Sequence, residues 1–267
     1  MDLDAISRGD AARWVAILPL GAHEQHGPHL PFETDTIIAQ TLANAAAKAV
    51  RPCIGVTVLP VESTGYSPEH LDYPGTRSAS YSSAIERWIS IGERLSGFGF
   101  RKLLLLNAHG GNSPLTSIVA TELRVRHGML CVATNWTRFG YPDGVIDEEE
   151  RKFGIHAGDI ETSLMLTIRP DLVRLGELAN FPSLQADLSE DYVYLRAYGP
   201  HAFGWKMQDL NVRGATGNAS LATAEKGEKL LAHAVRGIAD LLREMDRFDM
   251  SLLEKMPIPV DRANDGR

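Results

Sequence analysis

Apolar residues in this chain fall into short unbroken runs separated by longer stretches of helical spacing. Val15–Leu20 (VAILPL), 54–59 (IGVTVL), 102–106 (KLLLL) and 129–134 (MLCVAT) are runs of strand length. Unbroken apolar runs of that length are what strands covered on both faces look like. Residues 36–50 read as an Ala-rich helix, 80–95 as an amphipathic one and 112–127 as a third helix. A further helix over 159–166 must stop before Pro170, and a long closing helix runs over 222–247.

Strands alternating with helices predict βα units, hence an α/β fold of three layers, α/β/α, with a largely parallel central sheet. In such sheets ligands bind beyond the carboxyl ends of the strands. Residues 137–155 and 176–220 are richer in Gly, Pro, Asp and Tyr and read as loop excursions that cover a site. No linker or internal repeat divides the chain, so residues 1–267 are expected to form a single domain.

The net charge of −7 is spread without a basic stripe, which argues against nucleic acid as a partner. Cys53 and Cys131 form no CxxC pair and are expected as buried reduced thiols in strand-like runs. No signal peptide and no apolar stretch long enough to span a membrane is evident, so a cytoplasmic protein is expected.

Candidate chemistry gathers at the predicted strand ends. The first strand runs into Gly21-Ala22-His23-Glu24-Gln25-His26-Gly27. In extended chain, residues two apart point the same way, so Glu24 and His26 aim at one spot and Gln25 elsewhere. Asp35 follows at the start of the next helix, and His109 lies just past the third strand in Asn107-Ala108-His109-Gly110-Gly111-Asn112. His156 and Glu161 flank the start of the 159–166 helix. Imidazoles and carboxylates without thiolates suit a catalytic zinc, manganese or iron. The three carboxylates Glu24, Asp35 and Glu161, with one hydroxide, would balance two divalent ions. Two such ions would bring a bridging water from a pKa of about 15.7 toward ~7. Taken singly, Asp35 also reads as a helix cap, Glu161 as a dipole-complementing acid, and Gly110-Gly111 as a tight turn.

At these residues the sequence resembles the creatininase family. The segments that carry the likeness are LPLGAHEQHGPHLPFETD (18–35), NAHGGN (107–112) and HAGDIETSLML (156–166), with weaker echoes in YPGT (73–76) and GNASLATAEKG (217–227). The resemblance implies a creatininase-like three-layer fold, a two-metal centre, hydrolysis of an amide or cyclic amide, and a homo-oligomer, often a hexamer. It puts Glu24 and His109 on one metal, His26 on the other and Asp35 between them. Where the family has a metal-binding glutamate two residues after the His109-type histidine, this chain has Gly111, and the role passes to Glu161. His156 matches a proton-shuttling histidine and Trp136 a tryptophan near the substrate. Lys152 replaces a tryptophan that covers the flat substrate of creatininase proper, which argues against creatinine itself.

The expected reaction is attack of a metal-bridging hydroxide on an amide carbonyl. His156 and Glu161 are the catalytic side chains, and Glu24, His26, Asp35, His109 and Glu161 hold two divalent ions, zinc first, with manganese or iron as alternatives. Gly110, Gly111, Trp136 and His70 are expected at the substrate. His70 also reads as a surface-loop histidine, and His29 as a partner orienting the ligands or as a turn cap. Alternatives are a deformylase or peptide-processing hydrolase on the same centre, or a non-catalytic metal-binding relative. A dinucleotide site is disfavoured because the loop after the first strand is GAHEQHG rather than a GxGxxG turn.

Overall fold

The computed structural model describes residues 7–51 and 53–254. Its centre is a parallel sheet of β1 (Val15–Leu20), β2 (Val56–Val58), β3 (Lys102–Asn107) and β4 (Leu130–Asn135), in the order β2-β1-β3-β4. β1 and β3 occupy the middle and pair over their full length, from Val15 opposite Lys102 to Leu20 opposite Asn107. Both are buried throughout, which is why their sequences are unbroken apolar runs instead of alternating ones.

Alternation persists in where those side chains go. Val15, Ile17, Leu104 and Leu106 face one core with α1 (Thr34–Val50), α5 (Asp159–Ile168) and α8 (Ala224–Arg247). Ala16, Leu18, Leu20, Leu103 and Leu105 face the other with α2 (Tyr81–Phe98) and α3 (Ser113–His127). The result is the expected three-layer α/β/α arrangement. The closing helix α8 buries Leu230, Ala234, Ile238 and Leu242 at helical spacing against α1 and α5.

The stretches expected as loops contain short elements of their own. α4 (Glu148–Phe153) lies in the first, and β5 (Asn180–Phe181), α6 (Leu184–Asp191), α7 (Met207–Leu210) and β6 (Gly217–Asn218) in the second, with β5 and β6 paired antiparallel. Cys53 departs from expectation. α1 ends at Val50 and the chain turns before β2, which leaves Cys53 exposed in the turn. Cys131 does lie within β4, where burial pushes its thiol up to about 12. Among the described residues no helix is long and apolar enough to cross a membrane.

Candidate metal centre

The carboxyl ends of β1 and β3 and the first turns of α1 and α5 meet at one point. Past β1 the backbone is pinned by an isolated bridge from Leu20 to Glu62 and one from His23 to Arg77. This carries Glu24 and His26 inward, and both are buried. Asp35 enters from the first turn of α1, also buried. Its Oδ1 lies 3.3 Å from His26 Nε2 and its Oδ2 3.4 Å from His109 Nδ1. Asp35 therefore stands between the two histidines. His109 Nδ1 is also 3.2 Å from Glu24 Oε1.

Glu161 enters from α5 on the His26 side, with Oε2 4.0 Å from His26 Nε2. Several contacts fix the start of that helix. The buried Glu150 carboxylate accepts from the backbone N–H of Asn218 at 2.8 Å and of Ile160 at 3.4 Å. Lys226 of α8 pairs with buried Asp159. Ala157 sits at φ 54°, a left-handed conformation costly for a residue with a Cβ, and there its N–H donates to Glu161 Oε2 at 2.7 Å. His29 hydrogen-bonds Thr162 Oγ1 at 2.9 Å and stacks on Phe181. It thus ties the loop after β1 to α5, and burial brings its pKa down to about 4.

Three of the histidines share one arrangement. His26 Nδ1 donates to Glu24 O at 3.0 Å, His109 Nε2 to Tyr66 O at 2.9 Å, and His156 Nε2 to Gln25 O at 2.8 Å. A backbone carbonyl can only accept, so each ring has its proton fixed on the outer nitrogen and a bare nitrogen aimed inward. Those bare nitrogens face carboxylates, an arrangement of lone pair against lone pair that requires a cation or a proton between them. Glu24 Oε2, His26 Nε2 and Asp35 Oδ2 are buried without a hydrogen-bond partner. Orphaned buried acceptors of this kind fit a bound metal.

Without an ion, protons take its place. Burial alone would lower His26, but Asp35, Glu161 and Glu24 together raise it to about 9. His109 is raised well above the usual imidazole range by Glu24 and Asp35 against the opposing effect of burial. Burial and the neighbouring Asp35 bring Glu161 up to about 7, with His26 opposing. His156 is held neutral chiefly by burial.

The ligand-type atoms form three compact groups, Glu24–Asp35–His109, His26–His156–Glu161 and Glu24–His70–His156. Glu24, His26, Asp35, His109, His156 and Glu161 are thus all brought together. His70 is buried in a 3-10 turn, not on the surface, and its Nε2 lies 3.5 Å from Glu24 Oε1. Gly110 and Gly111 form the turn between His109 and α3. A Cβ on Gly111 would collide with Tyr66 O and stand 2.5 Å from His109 Nε2, so any side chain there must displace one of them. The carboxylate beside Gly111 is Glu69, 3.0 Å from that Cβ position and 3.8 Å from His109 Nε2. Trp136 begins the turn after β4 and is buried edge-to-face against Tyr141, whose hydroxyl is pushed up by burial and then by Glu161. Lys152 is exposed and paired with Glu148.

Sequence reasoning missed Glu69, Tyr141 and the Gln25 side chain. The Glu69-His70 dipeptide after the second strand was a signal for the first, and none marked the other two.

A three-layer α/β/α fold with buried histidines and carboxylates converging at the strand ends defines a metal-binding hydrolase. The creatininase family profile, described as creatinine amidohydrolase, matches residues 1–242. The chain belongs to the creatininase family and is a hydrolase of carbon–nitrogen bonds. It is 31% identical to the mycofactocin precursor peptide peptidase of Mycolicibacterium smegmatis over 86% of this chain and 84% of that protein. It is 29% identical to the creatinine amidohydrolase of Pseudomonas putida over 90% and 91% of the two chains. A solved manganese creatininase superposes with a TM-score of 0.71 at 28% identity, covering 90% of this chain and 94% of that one. A mutant creatininase of Zn–Zn type gives 0.72, again at 28% identity, over 90% and 93%.

Proposed function

We propose that this protein hydrolyses the carbon–nitrogen bond of a small amide or cyclic amide at a centre of two divalent ions, zinc or alternatively manganese or iron. The observation that carries the proposal is the pair of bare nitrogens, His26 Nε2 and His109 Nδ1, facing the two oxygens of Asp35 at 3.3 and 3.4 Å. Glu24 and His109 would hold one ion, His26 and Glu161 the other, and Asp35 both. When bound, such ions supply a water acidified to a pKa of ~7 and polarise the substrate carbonyl.

The chain's own groups do the rest. His156 presents Nδ1 inward, 3.7 Å from Glu24 Oε1, and its outer nitrogen is anchored on Gln25 O. A neutral imidazole held this way takes a proton at Nδ1 and returns it to the departing nitrogen. Glu161, the second catalytic side chain of this reading, stands on the His26 side with its Oε2 held by the Ala157 N–H. The Gly110 and Gly111 backbone N–H groups, at the start of α3, offer donors to the developing oxyanion. Trp136 and Tyr141 form an aromatic wall that limits water.

Relatives that cleave a peptide precursor or open creatinine support a site adaptable in substrate. Deformylation or peptide processing is therefore the second reading of the same centre. Lys152, turned outward to Glu148, offers no flat apolar cover, which argues against creatinine. By resemblance the working form is a homo-oligomer, hexameric. The test is a screen of zinc- and manganese-loaded protein against lactams, cyclic ureas, formamides and short peptides. Turnover that chelator abolishes and metal restores is the expected result. Full metal occupancy without hydrolysis of any class would instead mark a non-catalytic relative.

A further inference from the structure

His70 looks like one more ligand, but its hydrogen bonding is the reverse of the other three histidines. Gln25 sits between Glu24 and His26 in the segment after β1. Its side-chain Oε1 accepts from Gly27 N–H at 3.0 Å. That contact fixes which end of the amide is which, because a backbone N–H can only donate. The Gln25 Nε2 group therefore donates to His70 Nδ1, 2.8 Å away. With Nδ1 accepting, the single proton of the ring resides on Nε2, and Nε2 faces Glu24 Oε1 at 3.5 Å. His26, His109 and His156 each meet a carbonyl on the outside and present a bare nitrogen inside. His70 meets an amide donor outside and presents an N–H inside.

We infer that the Gly27–Gln25–His70 chain is a positioning device that presents the His70 Nε2–H to Glu24 Oε1 and so orients the Glu24 carboxylate that faces His109. His70 is on this assignment neither a metal ligand nor a proton shuttle. The role given to Glu24 rests on the metal reading above, but the proton position on His70 does not.

The experiment uses the whole chain with ¹⁵N-labelled histidine, metal-free and zinc-loaded, and reads the His70 tautomer from long-range ¹H–¹⁵N correlations. The native protein should carry the His70 proton on Nε2 in both states. Gln25→Glu substitutes an acceptor for the donor, so the proton should move to Nδ1. Zinc affinity in chelator competition should then fall about 10–100-fold, the usual cost of losing a partner that orients a ligand. His70→Leu should lose affinity to the same degree, and it serves should the first variant fold poorly. A native His70 protonated on Nδ1, or a zinc-induced shift of its Nε2 typical of direct ligation, would overturn the inference. So would a switched tautomer, or a His70→Leu protein, with zinc affinity unchanged. A chain that takes up no divalent ion at all would sink the metal reading, while the tautomer of the metal-free protein would still decide the hydrogen-bond chain.

Discussion

Replacing Asp35 by Asn keeps the size of the side chain and deletes its charge. The two Asp35 oxygens lie 3.3 and 3.4 Å from the bare nitrogens of His26 and His109. An ion coordinated by either nitrogen is thus within ~4 Å of this carboxylate. One unit-charge attraction at ~4 Å and an effective dielectric of ~20 is worth ~4 kcal/mol, and a divalent ion loses at least that much. At 1.4 kcal/mol per tenfold, each ion should bind about 10³-fold more weakly. Glu161 reaches only the His26 side, at 4.0 Å, so Glu161→Gln should weaken one ion and spare the other. Asp35→Asn also removes the buried carboxylate that helps raise His26, so circular dichroism of the same samples must show the native fold before the ion count is read. Elemental analysis after gel filtration, together with calorimetric titration, reads the outcome. Native protein should hold close to two ions per chain, Glu161→Gln close to one, and Asp35→Asn close to none. An Asp35→Asn protein that keeps both ions, or a Glu161→Gln protein that loses both, would refute this division of the site.

Metal binding should release protons. His26, raised to about 9, must surrender its proton to coordinate, so affinity grows as pH rises toward 9 and drops roughly tenfold per unit below it for each proton displaced. Calorimetry in buffers of different ionisation enthalpy counts those protons, and a pH-independent affinity would contradict the protonated metal-free site. His156→Ala should keep its metal and lose ~10²–10⁴-fold in turnover, the range for a positioned proton-transfer group, as steady-state kinetics will show. Gly111→Ala should cost ~1–3 kcal/mol through overpacking against Tyr66 and His109, and a fall in thermal midpoint of ~2–4 °C per kcal/mol reports it. Exposed Cys53 should react with a thiol reagent in the native state, while Cys131 should wait for unfolding.

The residues that converge were legible as candidates because they sit next to elements with strong local signals. Glu24 and His26 follow a fully apolar run, Asp35 opens an Ala-rich helix, His109 follows another apolar run, and Glu161 lies in the first turn of a helix. Strand periodicity separated Gln25 from its neighbours but said nothing of where that side chain would return. Glu69 and His70 come from a loop after β2 whose path depends on Gly111, Tyr66 and Ser67 closing around His109. Local spacing in a loop carries no direction, so His70 read more readily as a surface residue. Cys53 misled because an apolar neighbourhood in sequence, Ile54 to Leu59, lay just beyond a turn that kept the thiol outside.

From the chain alone follow the alternation of strands and helices, the strand ends where chemistry collects, and the five residues read there as candidate ligands. These are properties of neighbours in sequence, where burial period and helix starts act over a few residues. Only the folded arrangement decided that Asp35 stands between His26 and His109, that Glu161 belongs to the His26 side, and that Glu69 fills the space before Gly111. It also decided which nitrogen of each histidine is bare. That choice depends on whether the atom behind the ring donates or accepts, and the partners Tyr66 O and the Gln25 amide are brought to His109 and His70 from more than 40 residues away by packing alone.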